Sequence, residues 1–201
     1  VILAVKPQML RAVAEHLAAT PGFEPQRVIS IAAGITTQTL AAFFPDAAVI
    51  RVMPNTGLTV GAGMSVVSVA QGTPRAEGEL VSELFSLMGE ALLVDESLQN
   101  AATAISGSGP AYFALFVKEL AAAGARAGLP ADAALMLAQQ TMLGTSRLFE
   151  LTCQSPEQLM AAVTSPNGTT QAALAAFEAE GVTSIIQAAV TAAITRAEEL
   201  A

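Results

Sequence analysis

The chain has 201 residues, of which 53% are hydrophobic and 13% charged, so it can bury a sizeable core. Aromatic residues make up only 4%, and alanine dominates the apolar ones, which favours closely packed helices over a β-sandwich. The net charge of −8 disfavours nucleic acid or an anionic membrane surface as a partner, because both attract basic patches. No apolar run approaches the ~18 residues that span a bilayer, and no secretory signal pattern occurs.

Cysteine and histidine each occur once, which limits the chemistry available to the chain. A lone Cys153 forms no intramolecular disulfide and fits a reducing, cytoplasmic compartment. We expect it to be a small apolar filler, because no cationic partner is near it in the sequence. With His16 alone, no His/Cys metal cluster can form, so we predict no metal.

Residues 1–95 alternate strand and helix patterns, which predicts a parallel sheet covered by helices. The predicted strands are residues 1–5, 28–31, 48–53, 64–69 and 91–94. The predicted helices between them begin at Pro7, Thr36 and Pro74. The first strand has the continuous apolar run of a strand buried on both faces. Proteins rarely begin inside such a strand, so we expect further chain upstream.

Residues 96–201 lack alternating strands and contain long helices rich in alanine and leucine. The predicted helices are residues 97–104, 109–127, 131–150, 156–162, 169–179 and 182–200. The sequence therefore predicts two domains, a partial α/β domain of residues 1–95 and an all-α domain of residues 96–201.

Three predicted loops follow strands, at the edge where α/β sheets bind ligands. They are Lys6-Pro7-Gln8, Ala32-Ala33-Gly34 and Pro54-Asn55-Thr56. Their small residues and exposed amides suit a flat cofactor, although ordinary strand-to-helix turns share this composition. The Gly-x-Gly-x-x-Gly fingerprint of a dinucleotide site is absent, and Gly61-Ala62-Gly63 does not replace it because it precedes a strand.

Two further motifs precede predicted helices. Residues 106–110, Ser-Gly-Ser-Gly-Pro, either let a ligand approach closely or serve only as a helix cap. Residues 164–170, Thr-Ser-Pro-Asn-Gly-Thr-Thr, form a turn that opens onto a helix. Four hydroxyls and free helix-terminal amides converge there, and no cation lies between Arg147 and Arg196. We interpret this run as a site for a small anion held by amides and hydroxyls, with a hydroxyl-rich cap as the alternative.

Five motifs of the chain occur together in a characteristic order. They are Ala4-Val5-Lys6-Pro7-Gln8, Ser30-Ile31-Ala32-Ala33-Gly34-Ile35, Arg51-Val52-Met53-Pro54-Asn55-Thr56, Ser106-Gly107-Ser108-Gly109-Pro110-Ala111-Tyr112 and Thr164-Ser165-Pro166-Asn167-Gly168-Thr169-Thr170. Together they resemble the pyrroline-5-carboxylate reductase family, and the resemblance covers essentially the whole chain. It implies a cytoplasmic enzyme that reduces the cyclic imine to L-proline with NADPH or NADH, the last step of proline biosynthesis.

The resemblance implies a Rossmann domain followed by a helical domain that interlocks with a second subunit. The broad apolar faces of the last helices also predict a homodimer through residues 109–200, and the family adds rings of dimers. The resemblance further implies that the first Rossmann strands, with the Gly-rich pyrophosphate loop and the residues that sense the adenosine 2′-phosphate, are missing. NADPH and NADH therefore both stay open. The implied nicotinamide contacts are Ala4, Val5, Lys6, Pro7, Ala32, Ala33, Gly34, Met53, Pro54 and Asn55.

The resemblance also leads to a hypothesis for the substrate. Thr170 would be the catalytic residue, which hydrogen-bonds the ring nitrogen and relays or orients its proton. Ser165 and the amides of Gly168 and Thr169 would hold the carboxylate. Ser108 belongs to the loop that would pack beside the nicotinamide and the substrate.

Two residues depart from the family's usual pattern. Gly57 stands where the family most often has proline, and we expect it to loosen its loop. Asn167 stands where a second glycine is most common, and we expect the turn to survive because Asn tolerates the left-handed region. Two alternatives stay open, another imine or 2-hydroxyacid reductase and a truncated, non-catalytic oligomerisation or ligand-binding fragment.

Overall fold

A computed structural model describes residues 1–200, which form two compact units. One unit consists of residues 1–110 with residues 190–200, and the other of residues 111–189. The predicted domain border between residues 95 and 96 stays a prediction, and residue 201 of the predicted helical domain lies outside the described residues.

The first unit is built on a five-stranded sheet in the order β1-β2-β3-β4-β5. Its strands are β1 Ile2–Leu3, β2 Arg27–Ser30, β3 Ala48–Pro54, β4 Gly63–Val69 and β5 Gly89–Leu93. Its helices are α1 Pro7–Ala18, α2 Thr37–Phe43, α3 Arg75–Ser86 and α4 Gln99–Ala102. Three single-turn segments are the 3₁₀ helices Thr56–Val60 and Glu96–Leu98 and the π-helix Thr103–Gly107.

The strand directions confirm the predicted α/β class, with one exception. β1, β2 and β3 are parallel, whereas β4 runs antiparallel to β3. The prediction of a parallel fourth strand was wrong because only the short segment from Asn55 to Ala62 connects the two strands. A parallel crossover needs roughly a dozen residues or more, usually with a helix. β5 is parallel to β4, with α3 as the crossover between them.

The side chains of β3 alternate between two apolar clusters, as the period of a strand requires. Val49 belongs to the cluster that includes Leu40 of α2. Ile50 belongs to the cluster on the other side, which includes Phe85 of α3. Arg51 follows on the first side and is only 3% exposed, so a charged group lies inside this core.

The second unit is entirely helical, and its helices agree closely with the predicted segments. The helices that contribute to it are α5 Gly109–Arg126, α6 Ala131–Thr152, α7 Pro156–Ala162, α8 Thr169–Ala179 and α9 Val182–Leu200. α5 begins and α9 ends within the first unit.

Large apolar side chains of the helical unit are uncovered in the single chain. α8 and α9 contain no buried residue. Leu151 is 78% exposed, Met136 69% and Phe113 65%. A groove of about 550 Å³ between α5 and α6 is lined mainly by apolar side chains, Phe116 and Phe149 among them. Such surfaces are typical of a face that is covered by another protein chain.

The lone histidine, His16, is exposed on α1. Two expectations about single features have different outcomes. Cys153 is exposed and ends α6 with a φ of 52°, so the prediction that it fills an apolar site was wrong. Among residues 1–200, no single helix is long and apolar enough to cross a membrane, whereas α8 and α9 together meet that length and composition but join at a bend of 55°.

We predict that the thermal unfolding midpoint rises with protein concentration, because a second copy covers the apolar faces of the helical unit. An unfolding entropy of about 2.1 cal/mol/K per residue, over two chains, gives a rise of roughly 2 °C per tenfold increase. Calorimetric scans over a wide concentration range measure this shift. A midpoint independent of concentration would contradict the prediction.

Candidate functional site

The carboxyl ends of β1, β2 and β3 lie at one edge of the sheet. Leu3 pairs with Ser30, and Ser30 in turn pairs with Arg51. Residues 4–7 and 32–34 follow β1 and β2, and residues 53–55 are the last two residues of β3 and the one after it, so all three segments lie at a common edge. These segments contain all of the residues that the sequence predicts as nicotinamide contacts.

Several donors at this edge are free. Within residues 1–200, the backbone amides of Val5, Lys6, Ala33 and Gly34 make no hydrogen bond. The Lys6 side chain is exposed and forms no ion pair with any described residue. Amides and an ammonium group suit the phosphate, hydroxyl and carboxamide oxygens of a dinucleotide. The donor set therefore fits a nicotinamide cofactor.

The conformation of Gly34 is imposed by its neighbours. Its φ is 74°, in the left-handed region that favours glycine. A Cβ atom at this position would lie 2.7 Å from the carbonyl oxygen of Leu200, at the end of α9. Both constraints exclude a larger residue, and the end of α9 therefore borders this loop.

Asn55 connects the end of β3 to three other segments. Its Nδ2 donates to the Ser106 carbonyl at 3.2 Å, and its Oδ1 accepts from the amides of Gly57 at 3.0 Å and Met64 at 3.1 Å. The carbonyl of Gly57 also accepts from the amide of Ala62 at 3.0 Å. Proline at position 57 could accept the bond from Ala62 but could not donate the bond to Asn55, because it has no backbone N–H. Gly57 thus has two tethers that the expectation of a looser loop did not include.

The segment before α5 contains a π-turn. The amide of Ser108 donates to the Thr103 carbonyl at 3.0 Å, five residues earlier. A Cβ atom at Gly107 would lie 3.2 Å from the terminal methyl of Met53. Together with the bond from Asn55 to Ser106, this contact places residues 106–108 beside the end of β3. π-turns are rare and are frequently found at functional sites.

A second group of candidate residues lies in the loop between α7 and α8, residues 163–168. Asn167 adopts a φ of 57°, so the turn survives as predicted. Its amide donates to Oε1 of Gln171 at 2.7 Å, in the first turn of α8. Contrary to the expectation from the sequence, the Gly168 amide is not free, because it donates to the Ser165 carbonyl at 3.0 Å.

Most hydroxyls of this loop and of the first residues of α8 have no partner. The Thr164 hydroxyl donates to the Met160 carbonyl at 2.7 Å. In the part of the chain that the structure describes, the hydroxyls of Ser165, Thr169 and Thr170 make no hydrogen bond. The amides of Thr169 and Thr170 are also free, as the first amides of a helix are. Three hydroxyls and two amides are thus available to a ligand.

The helix that leads into this loop begins at a well-defined residue. The Ser155 hydroxyl accepts from the Gln158 amide at 3.2 Å, and the Ser155 amide donates to Oε1 of Gln158 at 2.8 Å. The same hydroxyl hydrogen-bonds Glu157 and holds the pKa of that carboxyl below its ordinary value. This capping box sets the start of α7.

The structure also contains a cluster that sequence reasoning missed. The carboxylate of Glu96 accepts from the Thr37 amide at 2.7 Å and from the Thr37 hydroxyl. Its Oε1 lies 3.4 Å from Nη1 of Arg51. The available signal was Arg51 itself, because a charged residue within an apolar strand requires a buried partner.

The fold and these donors define the class of the protein. It combines a Rossmann-type sheet with a helical unit whose apolar surface is exposed in the single chain. Residues 96–200 match the family model described as pyrroline-5-carboxylate reductase dimerisation. A pyrroline-5-carboxylate reductase from Synechocystis sp. is 45% identical over 199 residues, which span 99% of this chain and 74% of that protein.

Solved structures agree with these sequence matches. The reductase structure from Coxiella burnetii has a TM-score of 0.92 at 34% identity and covers 100% of this chain and 75% of that one. The structure from Plasmodium falciparum, with NADP bound, has a TM-score of 0.85 at 28% identity and covers 99% of this chain and 76% of that one. The chain belongs to the pyrroline-5-carboxylate reductase family.

We predict that Asn55→Asp lowers the free energy of unfolding by about 1–3 kcal/mol. The variant keeps the oxygen that accepts two amides but turns a second oxygen, with no hydrogen to donate, toward the Ser106 carbonyl. Urea denaturation measures the loss. Asn100→Asp is the control, because the Asn100 side chain makes no hydrogen bond within residues 1–200. Equal losses in the two variants would contradict a bracing role for Asn55.

Proposed function

We propose that this protein reduces 1-pyrroline-5-carboxylate to L-proline with NAD(P)H. The observation that carries the proposal is the set of free donors at the start of α8, which suits a small carboxylate with a polar ring atom. The Synechocystis relative has this activity as its name. Neither a different reductase nor a non-catalytic fragment is favoured by any relative described above.

The reaction adds a hydride to the imine carbon and a proton to the ring nitrogen, so that the C=N double bond becomes a CH–NH single bond. Reduced nicotinamide, when bound, supplies the hydride. We assign its nicotinamide end to the sheet edge formed by residues 4–7, 32–34 and 53–55. The free amides and Lys6 at that edge support this assignment.

Thr170 is the catalytic residue of the proposal. Its hydroxyl is partner-free within residues 1–200 and its side chain is half-buried, so it can hold one ligand atom in a set direction. An imine nitrogen protonates readily, so the chain needs a group that orients the N–H rather than a strong acid. The Thr170 hydroxyl accepts that hydrogen bond and orients or relays the proton.

The carboxylate is assigned to Ser165 and to the amide of Thr169. The Ser165 hydroxyl and that amide are free, and they lie at the positive end of α8, an 11-residue helix. Gly168 contributes through its missing side chain, because a Cβ atom there would overlap the Ser165 hydroxyl oxygen. Ser108, beside the end of β3, is assigned to the substrate as well.

The chain forms a homodimer through its helical region, for which the dimerisation model matches residues 96–200. We propose that these dimers assemble into rings. Leu87 and Val60, 82% and 79% exposed, lie outside the helical unit and leave apolar surface for such contacts. We also propose a cytoplasmic location without nucleic-acid or membrane partners, which the lone cysteine and the net charge of −8 support.

We predict that Thr170→Ala lowers kcat/KM for the imine by ~10²-fold or more, the cost of losing one transition-state hydrogen bond. Thr170→Ser keeps the hydroxyl and recovers most of the activity. Thr164→Ala is the matched control, because its hydroxyl is already bound to the Met160 carbonyl. Steady-state kinetics with 1-pyrroline-5-carboxylate measure all three, and an unchanged kcat/KM in Thr170→Ala would refute the catalytic role.

We predict that Ser165→Ala lowers kcat/KM only for substrates that carry the carboxylate. A hydrogen bond to a charged group contributes about 1.5–3 kcal/mol, so kcat/KM for 1-pyrroline-5-carboxylate should fall about 10- to 100-fold. The parent 1-pyrroline has no carboxylate and should be reduced equally well by both enzymes. Equal losses on the two substrates would show that Ser165 does not hold the carboxylate.

A further inference from the structure

We propose that Glu96 is a positioning residue for the dinucleotide, because one carboxylate holds the two segments that would receive the nicotinamide. The inference rests on the proposed function, since it concerns the same sheet edge. Glu96 does not itself lie in any of the three segments at that edge, so its action is through Thr37 and Arg51.

The first of the two segments is the loop between β2 and α2. Thr37 is the first residue of α2, three positions after Gly34. Both its amide, at 2.7 Å, and its hydroxyl donate to the Glu96 carboxylate. The start of α2, and with it the end of the loop of residues 32–34, is therefore tied to Glu96.

The second segment is the end of β3. Arg51 lies two positions before Met53, and its side chain is only 4% exposed. Among residues 1–200, Glu96 is the only carboxylate within ion-pair distance of Arg51, and Nε of Arg51 has no partner. Glu96 is therefore the group that compensates this buried charge. Its loss should be costly, because an unpaired buried charge is strongly unfavourable.

Glu96 has a rigid support of its own. The amide of Ser97 donates to Oδ1 of Asp95 at 2.9 Å, and the hydrogen bonds from Ser97 hold the pKa of Asp95 below its usual value. The buried Gln99 donates to the Val66 carbonyl at 3.1 Å and to the Ser68 hydroxyl at 2.8 Å. The backbone on both sides of Glu96 is thereby held by its own turn and by β4, the strand next to β3, and not by the loop of residues 32–34.

This arrangement predicts which step is impaired when the Glu96 carboxylate is removed. The loop of residues 32–34 and the end of β3 would lose their common anchor together, while the loop between α7 and α8 keeps its own hydrogen bonds. Binding of the dinucleotide should therefore weaken. The kcat with saturating dinucleotide should change less.

The test is Glu96→Gln in the full-length enzyme, with NADPH affinity measured by fluorescence titration in the absence of imine. The amide keeps one acceptor for Thr37 but carries no charge for Arg51. We expect Kd to rise about tenfold, which corresponds to ~1.4 kcal/mol. Thr37→Val, which removes one donor and leaves the ion pair, should raise Kd in the same direction by a smaller factor.

Glu77→Gln is the matched control. The Glu77 side chain is 24% exposed, close to the 26% of Glu96, and it pairs with Arg27 at the opposite end of β2 from the loop of residues 32–34. The control should lower Tm without changing Kd. A Kd that rises equally in both variants would overturn the proposal.

The double variant Arg51→Met with Glu96→Gln separates positioning from stability, because it removes the buried charge together with its partner. We expect Tm to recover toward the wild-type value while Kd stays raised. Recovery of both would reduce Glu96 to a stabilising residue and overturn the proposal. An enzyme that binds NADPH with this pattern but does not reduce the imine would refute the proposed function alone and support the role of Glu96.

Discussion

The parallel register of β1, β2 and β3 is the constraint on which the candidate dinucleotide site depends. Hydrogen-bonded pairing aligns Leu3, Ser30 and Arg51, so the residues that follow them in the chain begin at one level of the sheet. None of these segments resembles a ligand site by itself. The sheet brings them to one edge and so makes them a candidate site. Asn55 holds the short connection to β4 at that edge by accepting from the amides of Gly57 and Met64.

The two groups of candidate residues solve the same electrostatic problem in different ways. In the proposed substrate site, a carboxylate at the start of α8 would meet free amides and hydroxyls, and the helix dipole would replace the lysine or arginine that a charged ligand often requires. At the sheet edge, Glu96 compensates a buried arginine and also binds the first residue of α2. In both places backbone amides carry part of the charge compensation.

The sequence predicted all five strands, the long helices and the turn at Asn167, because these depend on local periodicity and on backbone preference. It did not predict the reversal of β4, whose direction depends on how many residues link it to β3. It also missed the pairing of Glu96 with Thr37, since the two residues are far apart in the chain and each looks like an ordinary helix-start residue. The exposed Cys153 shows the same limit, because burial is a property of the packed molecule.

The π-turn of Thr103–Gly107 fixes the number of residues that can connect β5 to α5. One residue fewer would convert the wide turn into an ordinary α-helical one and rotate everything that follows by about 100°. Ser106 would then turn away from Asn55. Surface loops usually accept insertions and deletions. This stretch should tolerate substitutions but no change in the number of its residues.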